Sequence, residues 1–247
     1  MKYFAKIKYL GTNFHGFQVQ PDKRTVQGEL CSALAEVTGF PCKVTGCSRT
    51  DAGVHANEFC ITVECEQATI PPEKLPVAVA RFMPTDLSLY YAEEVPKEFH
   101  PRYDVISKEY LYRIKNERVY DPFLFGRAWF LPKPIDEAHI KKMQSAAEFL
   151  VGKHDFSTFM SPGSDITDTV RNVFYIDIEK NGTDINIKIC ADGFLYNMVR
   201  IMTGTLLYVA EGKIKPEEIP SITDSLDRTK AGFTAPACGL FLNKVVY

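Results

Sequence analysis

Hydrophobic periodicity runs through the chain twice in the same order: strand, helix, strand, strand, helix, strand. That doubled order restricts the chain to folds built from two similar α+β units. In the first half, Tyr3 to Leu10 alternates, with Tyr3, Ala5, Ile7 and Tyr9 on one face and Lys6 and Lys8 on the other. A helix follows from Val26, capped by Thr25, striped by Leu30, Leu34 and Val37 and stopped at Gly39. Lys43-Val44-Thr45 reads as a short strand, and Glu58 to Glu64 alternates through Phe59, Ile61 and Val63. Pro71-Pro72-Glu73 opens a second helix reaching Phe82, and Leu87 to Val95 returns as a strand. The second half reads as a strand at 106–115, a helix from Ile135 to Val151, strands near 172–179 and 183–190, a helix from Phe194 to Glu211 and a last strand from Leu240 to Tyr247. The break falls within 96–105, which divides the chain into halves 1–104 and 105–247. Identity between the halves is too weak to make a sequence repeat, so the division rests on element order. The order predicts two ferredoxin-like, RNP-like subdomains. Their antiparallel sheets are expected to join into one continuous sheet, with helices on one side. The opposite sheet face is then open for binding, as in several RNA-binding modules.

At 247 residues and 45% hydrophobic content, the chain is globular and long enough for one large or two modest cores. Met1 to Ala5 enters a strand directly, without the charged and apolar regions of a secretory leader. The longest apolar stretch, Met198 to Ala210, is interrupted by Arg200, Thr203, Gly204 and Thr205, short of the roughly 18 apolar residues a membrane span needs. A cytoplasmic protein with no membrane association is expected. Seven cysteines include no Cys-x-x-Cys pair. Cys42/Cys47 and Cys60/Cys65 are each five apart, an odd offset that points extended-chain thiols to opposite faces. No metal is expected, and the cysteines read as reduced thiols. No phosphate-cradling or dinucleotide motif occurs, so no cofactor is expected either. The net charge of −2 is unusual for a chain that grips a polyanion. Residues 107–133, however, place Lys108, Arg113, Lys115, Arg118, Arg127 and Lys133 against only Glu109, Glu117 and Asp121. These are either a local basic patch or ordinary solvated charges.

The run Gly46-Cys47-Ser48-Arg49-Thr50-Asp51-Ala52-Gly53-Val54-His55-Ala56 sets one carboxylate among small residues, an arginine and a histidine, in a turn between two strands. Most loop aspartates only bond turn amides, and from this fragment that outcome is the commoner one. His55 near Asp51 suggests a hydrolase, but no nucleophile elbow accompanies them, and a structural hydrogen-bonding role is expected for His55.

This run resembles the signature of TruA-type tRNA pseudouridine synthases. Similar segments extend across nearly the whole chain: Tyr9 to Gln18, Phe99-His100-Pro101-Arg102-Tyr103, Lys108-Glu109-Tyr110-Leu111-Tyr112, Gly193 to Arg200, and Gly239-Leu240-Phe241-Leu242. The resemblance implies the same fold with a central active-site cleft, and isomerisation of uridine to pseudouridine without cofactor or metal. Asp51 would be the catalytic residue, either attacking covalently or abstracting a sugar proton to give a glycal. It further implies that Arg200 pairs with Asp51, Tyr110 stacks on the target base and Leu240 closes the base pocket. Tyr112 shares Tyr110's face and is the ordinary packed alternative; for Arg200 the alternative is a guanidinium reaching solvent. Arg49 is the candidate to fill the gap left by a flipped base or to hold a neighbouring phosphate. Arg24, His15 and Gln18 lie in loops resembling RNA-contacting loops. The implied substrate is the tRNA anticodon arm at positions 38, 39 and 40, and the implied assembly a homodimer. A catalytically silent RNA-binding module on the same scaffold is the alternative, opposed by Asp51, Tyr110 and Arg200 occurring together. A hydrolase using Asp51 and His55 is the third, and it predicts turnover without RNA.

Overall fold

The computed structural model describes residues 2–65, 70–164 and 166–247. The chain forms two compact units. The first runs to Ile106 and takes in Phe241–Tyr247; the second is Ser107–Leu240.

In the first unit, strand β1 (Lys2–Tyr9) is followed by helix α1 (Val26–Thr38), strands β2 (Lys43–Gly46) and β3 (His55–Glu64), helix α2 (Leu75–Ala80) and strand β4 (Leu87–Glu94). β1 lies antiparallel between β4 and β3, and β2 pairs antiparallel with the far end of β3, which gives the ferredoxin-like arrangement. Tyr3, Ala5, Ile7 and Tyr9 are buried, as their alternation requires. On the opposite face Lys6 pairs with Glu58 at 2.9 Å and the Lys8 ammonium lies 4.6 Å from the centre of the Tyr90 ring. α1 begins where Thr25 accepts a hydrogen bond from the Gly28 amide, and it buries Val26, Leu30, Ala33 and Leu34.

The C-terminal strand β10 (Leu240–Val246) does not stay with the second half. Phe241 and Leu242 pair in parallel with His55 and Ala56, so β10 and β2 share one edge of β3. The Val245 amide donates to Glu58, Ile106 N–H donates to the Val246 carbonyl, and the Tyr247 ring packs edge-on to Phe4. The division therefore falls at 106/107 rather than 104/105, with the last strand returned to the first unit.

The second unit contains β5 (Ser107–Lys115), β6 (Trp129–Phe130), α3 (Glu137–Glu148), β7 (Gly152–Asp155), β8 (Val170–Asn181), β9 (Asp184–Ala191), α4 (Met198–Ala210) and α5 (Ile219–Asp224). Its sheet runs β5-β9-β8-β7, antiparallel throughout, with β6 added in parallel beside β5. Tyr110, Tyr112 and Ile114 alternate with half-exposed neighbours and share a buried face with Ile185, Ile187 and Ile189. Met143, Ala146, Ile201, Met202 and Leu206 are among the buried positions of α3 and α4. Both units are α+β, and among the described residues each contains a parallel pair beside its antiparallel ones.

Several boundaries differ from the periodicity. Pro72–Lys74 is a 3-10 turn preceding α2, because prolines at 71, 72 and 76 leave too few amides for a long helix. α4 starts at Met198 rather than Phe194, after Asn197 adopts a left-handed conformation with φ 61°. The cysteines are not all thiols: Cys42 and Cys65 are disulfide-bonded, with a Cα–Cα distance of 4.7 Å. The pairing of Lys43 with Glu64 places Cys42 directly opposite Cys65 across β2 and β3, a relation that spacing along one strand does not reveal. Among the described residues no helix is long and apolar enough to cross a membrane, and no His, Cys, Asp and Glu group is arranged to hold a metal ion.

Candidate active site

Asp51 sits on the loop between β2 and β3, and that loop is clamped by residues 9–17. Phe17 N–H donates to the Thr50 carbonyl at 3.2 Å, and Gly53 N–H to the Phe14 carbonyl at 3.2 Å. The Tyr9 and Thr50 hydroxyls share a buried 2.8 Å hydrogen bond. Two glycines make the approach possible. A Cβ on Gly11 would stand 1.9 Å from the Val54 carbonyl oxygen, and one on Gly16, where φ is +87°, would stand 2.6 Å from that of Thr50. The Tyr9–Gln18 segment and the Asp51 run are thus two sides of one backbone clamp. Val54 N–H donates to the Asp51 carbonyl, so the aspartate's backbone is held in a turn while its side chain is half-buried.

His55 is fully buried at 0% exposure. Its Nδ1 accepts the Gly11 amide hydrogen at 2.9 Å, and its ring stacks on Phe241 at 4.5 Å. These bonds fit the structural role and remove His55 as a hydrolase base. Arg49, His15 and Gln18 are exposed on the same unit. Arg24 is differently disposed: Nη1 and Nη2 bond both oxygens of Asp86 at 2.8 Å, Nε bonds Glu29 at 2.8 Å, and the guanidinium covers the Phe14 ring at 4.1 Å. The Arg24 guanidinium holds the Asp86 carboxyl below the usual carboxylate range. Arg24 therefore braces the clamp from behind.

In the second unit, β5 gives its two tyrosines different surroundings. Tyr112 is 0% exposed, its hydroxyl donates to the Pro236 carbonyl at 2.7 Å, and burial pushes its phenol pKa up. Tyr110 packs edge-on to Phe194 at 5.0 Å. Arg200 is in the first turn of α4, where Nε donates to the Ala235 carbonyl at 2.7 Å and Nη1 to Asn197 Oδ1 at 2.7 Å. The Asn197 amide in turn donates to Ser161 Oγ at 3.0 Å, and Ala235 N–H donates to the Arg200 carbonyl. These bonds set the orientation of the guanidinium. Leu240 is buried at the start of β10. The supporting residues Thr50, Tyr9, Asn197 and Ala235 were not singled out by sequence. Asn197 carried one readable signal, an asparagine just before a helix, where a left-handed residue is tolerated.

The basic stretch is not one row of cations. Lys108 is buried, Lys115 pairs with Asp184 at 3.2 Å and Lys133 with Glu211 at 3.1 Å, while Arg118 and Arg127 are exposed.

Residues 5–104 and 146–247 match the model of a family described as tRNA pseudouridine synthase. The chain is 45% identical over 241 residues to tRNA pseudouridine synthase A of Thermoanaerobacter sp. (strain X514), covering 98% of this chain and 97% of the relative. Identity is 42% over 245 residues to tRNA pseudouridine synthase A 2 of Clostridium tetani (strain Massachusetts / E88) and 44% over 241 residues to tRNA pseudouridine synthase A of Brevibacillus brevis (strain 47 / JCM 6285 / NBRC 100599), each at 98% and 97% coverage. A solved structure titled "Crystal Structure of a Cbf5-Nop10-Gar1 Complex" aligns at a TM-score of 0.34 and 12% identity, over 83% of this chain and 53% of that one, a likeness too low to argue from. This chain belongs to the tRNA pseudouridine synthase family, a family of isomerases that convert uridine to pseudouridine.

Proposed function

We propose that the protein isomerises uridines at positions 38, 39 and 40 of the tRNA anticodon arm, with Asp51 as the catalytic carboxylate. The observation that carries the reading is the Asp51 loop, whose backbone is fixed by the Gly11 to Phe17 segment so that the side chain is set by the fold. The reaction breaks C1′–N1, turns the uracil and joins C1′ to C5; the C5 proton is lost and N1 gains one, so no atom is added or removed. An ionised Asp51 serves either as nucleophile at C1′ or as base toward the sugar. A desolvated carboxylate requires a cation, and the preorientation of Arg200 by Ala235 and Asn197 supports it in that role. Tyr110 stacks on the uracil and Leu240 closes over it. Arg49 occupies the space of the extruded base, which costs roughly a few kcal/mol to unstack. His15 and Gln18 meet the RNA backbone, and Arg24 serves them indirectly by fixing their loop to Asp86. The enzyme acts in the cytoplasm as a homodimer, and the exposed Val119, Phe123 and Phe125 supply apolar surface for self-association.

The test is to map pseudouridine in unmodified tRNA transcripts treated with the enzyme, each transcript carrying a single uridine in the anticodon arm. Product at 38, 39 and 40 is expected. Product confined to another arm would refute the site choice, and binding without product would identify a silent RNA-binding module.

A further inference from the structure

The second unit holds a pocket of about 270 Å³ lined by Trp129, Leu131, Lys133, Ile135, Leu207, Tyr208, Glu211, Lys213 and Phe233. It contains none of the residues assigned above to the reaction or to RNA contact. Three aromatic rings shape its apolar wall, Phe233 standing 5.8 Å from Trp129 and 5.4 Å from Tyr208. At the rim, one carboxylate is shared by two lysines: Glu211 lies 3.1 Å from Lys133 and 2.6 Å from Lys213, whose ammonium also sits 4.4 Å from the Tyr208 ring centre. The rim keeps an excess positive charge, and each ammonium has three donors. The back wall belongs to the segment that steadies Arg200. Phe233 abuts α4 so closely that a Cβ on Gly204 would stand 1.9 Å from its carbonyl oxygen; Gly232 N–H donates to Thr205 Oγ1 and Arg200 Nε to the Ala235 carbonyl.

We propose that this pocket takes an unpaired nucleotide of the RNA substrate, its base against Trp129, Tyr208 and Phe233 and its phosphate on Lys133 and Lys213. Base faces stack on aromatic side chains whatever the base, which suits an enzyme that meets several tRNA sequences. Glu211 is placed to accept a hydrogen bond from an exocyclic amine, and the lysines retain donors for a phosphate oxygen. The inference rests on the tRNA substrate of the proposed function.

Trp129 is the single tryptophan of the chain, so its emission reports on this pocket. Acrylamide quenching is measured with and without saturating unmodified tRNA, for the wild type and for Lys133→Ala/Lys213→Ala. RNA is expected to shield Trp129 in the wild type. The double variant should lose the shielding, raise KM several-fold at unchanged kcat, and flatten the log-log salt dependence of binding by about 0.7, the value for one single-strand phosphate contact. Three results would overturn the proposal: Trp129 equally accessible when tRNA is bound and turned over, equal shielding by free uridine monophosphate, or shielding that tracks protein concentration without RNA. A lower melting temperature in the double variant with an unchanged salt slope would also overturn it, by making the lysines structural. Shielding without any pseudouridine formation would instead count against the proposed function and leave the pocket standing.

Discussion

At the residue scale, the two tyrosines of β5 make the sharpest contrast. Tyr112→Phe removes the hydrogen bond to Pro236 and should cost about 1 kcal/mol of stability by denaturant titration, with turnover little changed. Tyr110→Phe should lower kcat, read in steady-state turnover of tRNA. Arg200→Lys keeps the charge but loses the planar fork that meets Ala235 and Asn197, so single-turnover kinetics should show a lower chemical rate. A rate matching wild type would separate Arg200 from the chemistry. Asp51, Tyr110 and Arg200 were singled out because the segments around them resemble those of a known family. The residues that hold them were not. Asn197 acts through a left-handed backbone angle, and Ala235 through its carbonyl, a group every residue carries. Arg24 lies in a loop resembling RNA-contacting loops, and its partner Asp86, 62 positions away, is one that no local pattern indicates.

At the element scale, that Arg24–Asp86 pair ties the loop after β1 to the start of β4. Asp86 has a folded pKa below its unfolded value of about 3.9, so its contribution to stability is full above that pH and is lost as pH falls through the lowered folded value. Asp86→Asn should therefore be less stable than wild type at pH 7, by about 1–3 kcal/mol for lost charge-assisted bonds, and the difference should shrink on acidification. A pH-independent difference between the two proteins would assign the loss to packing. Strands and helices with strong periodicity, such as β1 and α1, were readable from pattern alone. β6 has two residues, β7 four mostly polar ones, and α5 six with a proline near its start; each is too short for a period to register.

At the scale of the whole molecule, the chain's ends meet in one unit. Tyr247 packs on Phe4, and Phe241 and Leu242 pair in parallel with His55 and Ala56, a pairing of high sequence separation that no local pattern announces. Deleting 241–247 should expose β3 in the first unit, read as faster amide exchange at 55–64, while β8 and β9 in the second unit keep their protection. tRNA binding should weaken steeply with added salt despite the near-neutral net charge, because phosphate contacts are local. A family of isomerases and a clamped carboxylate converge on one reaction, and tritium release from tRNA labelled at uridine C5 follows it directly. Wild-type enzyme should release tritium. Asp51→Asn should bind the same tRNA within a few-fold and release none above blank; substantial release by that variant would contradict Asp51 as the catalytic group.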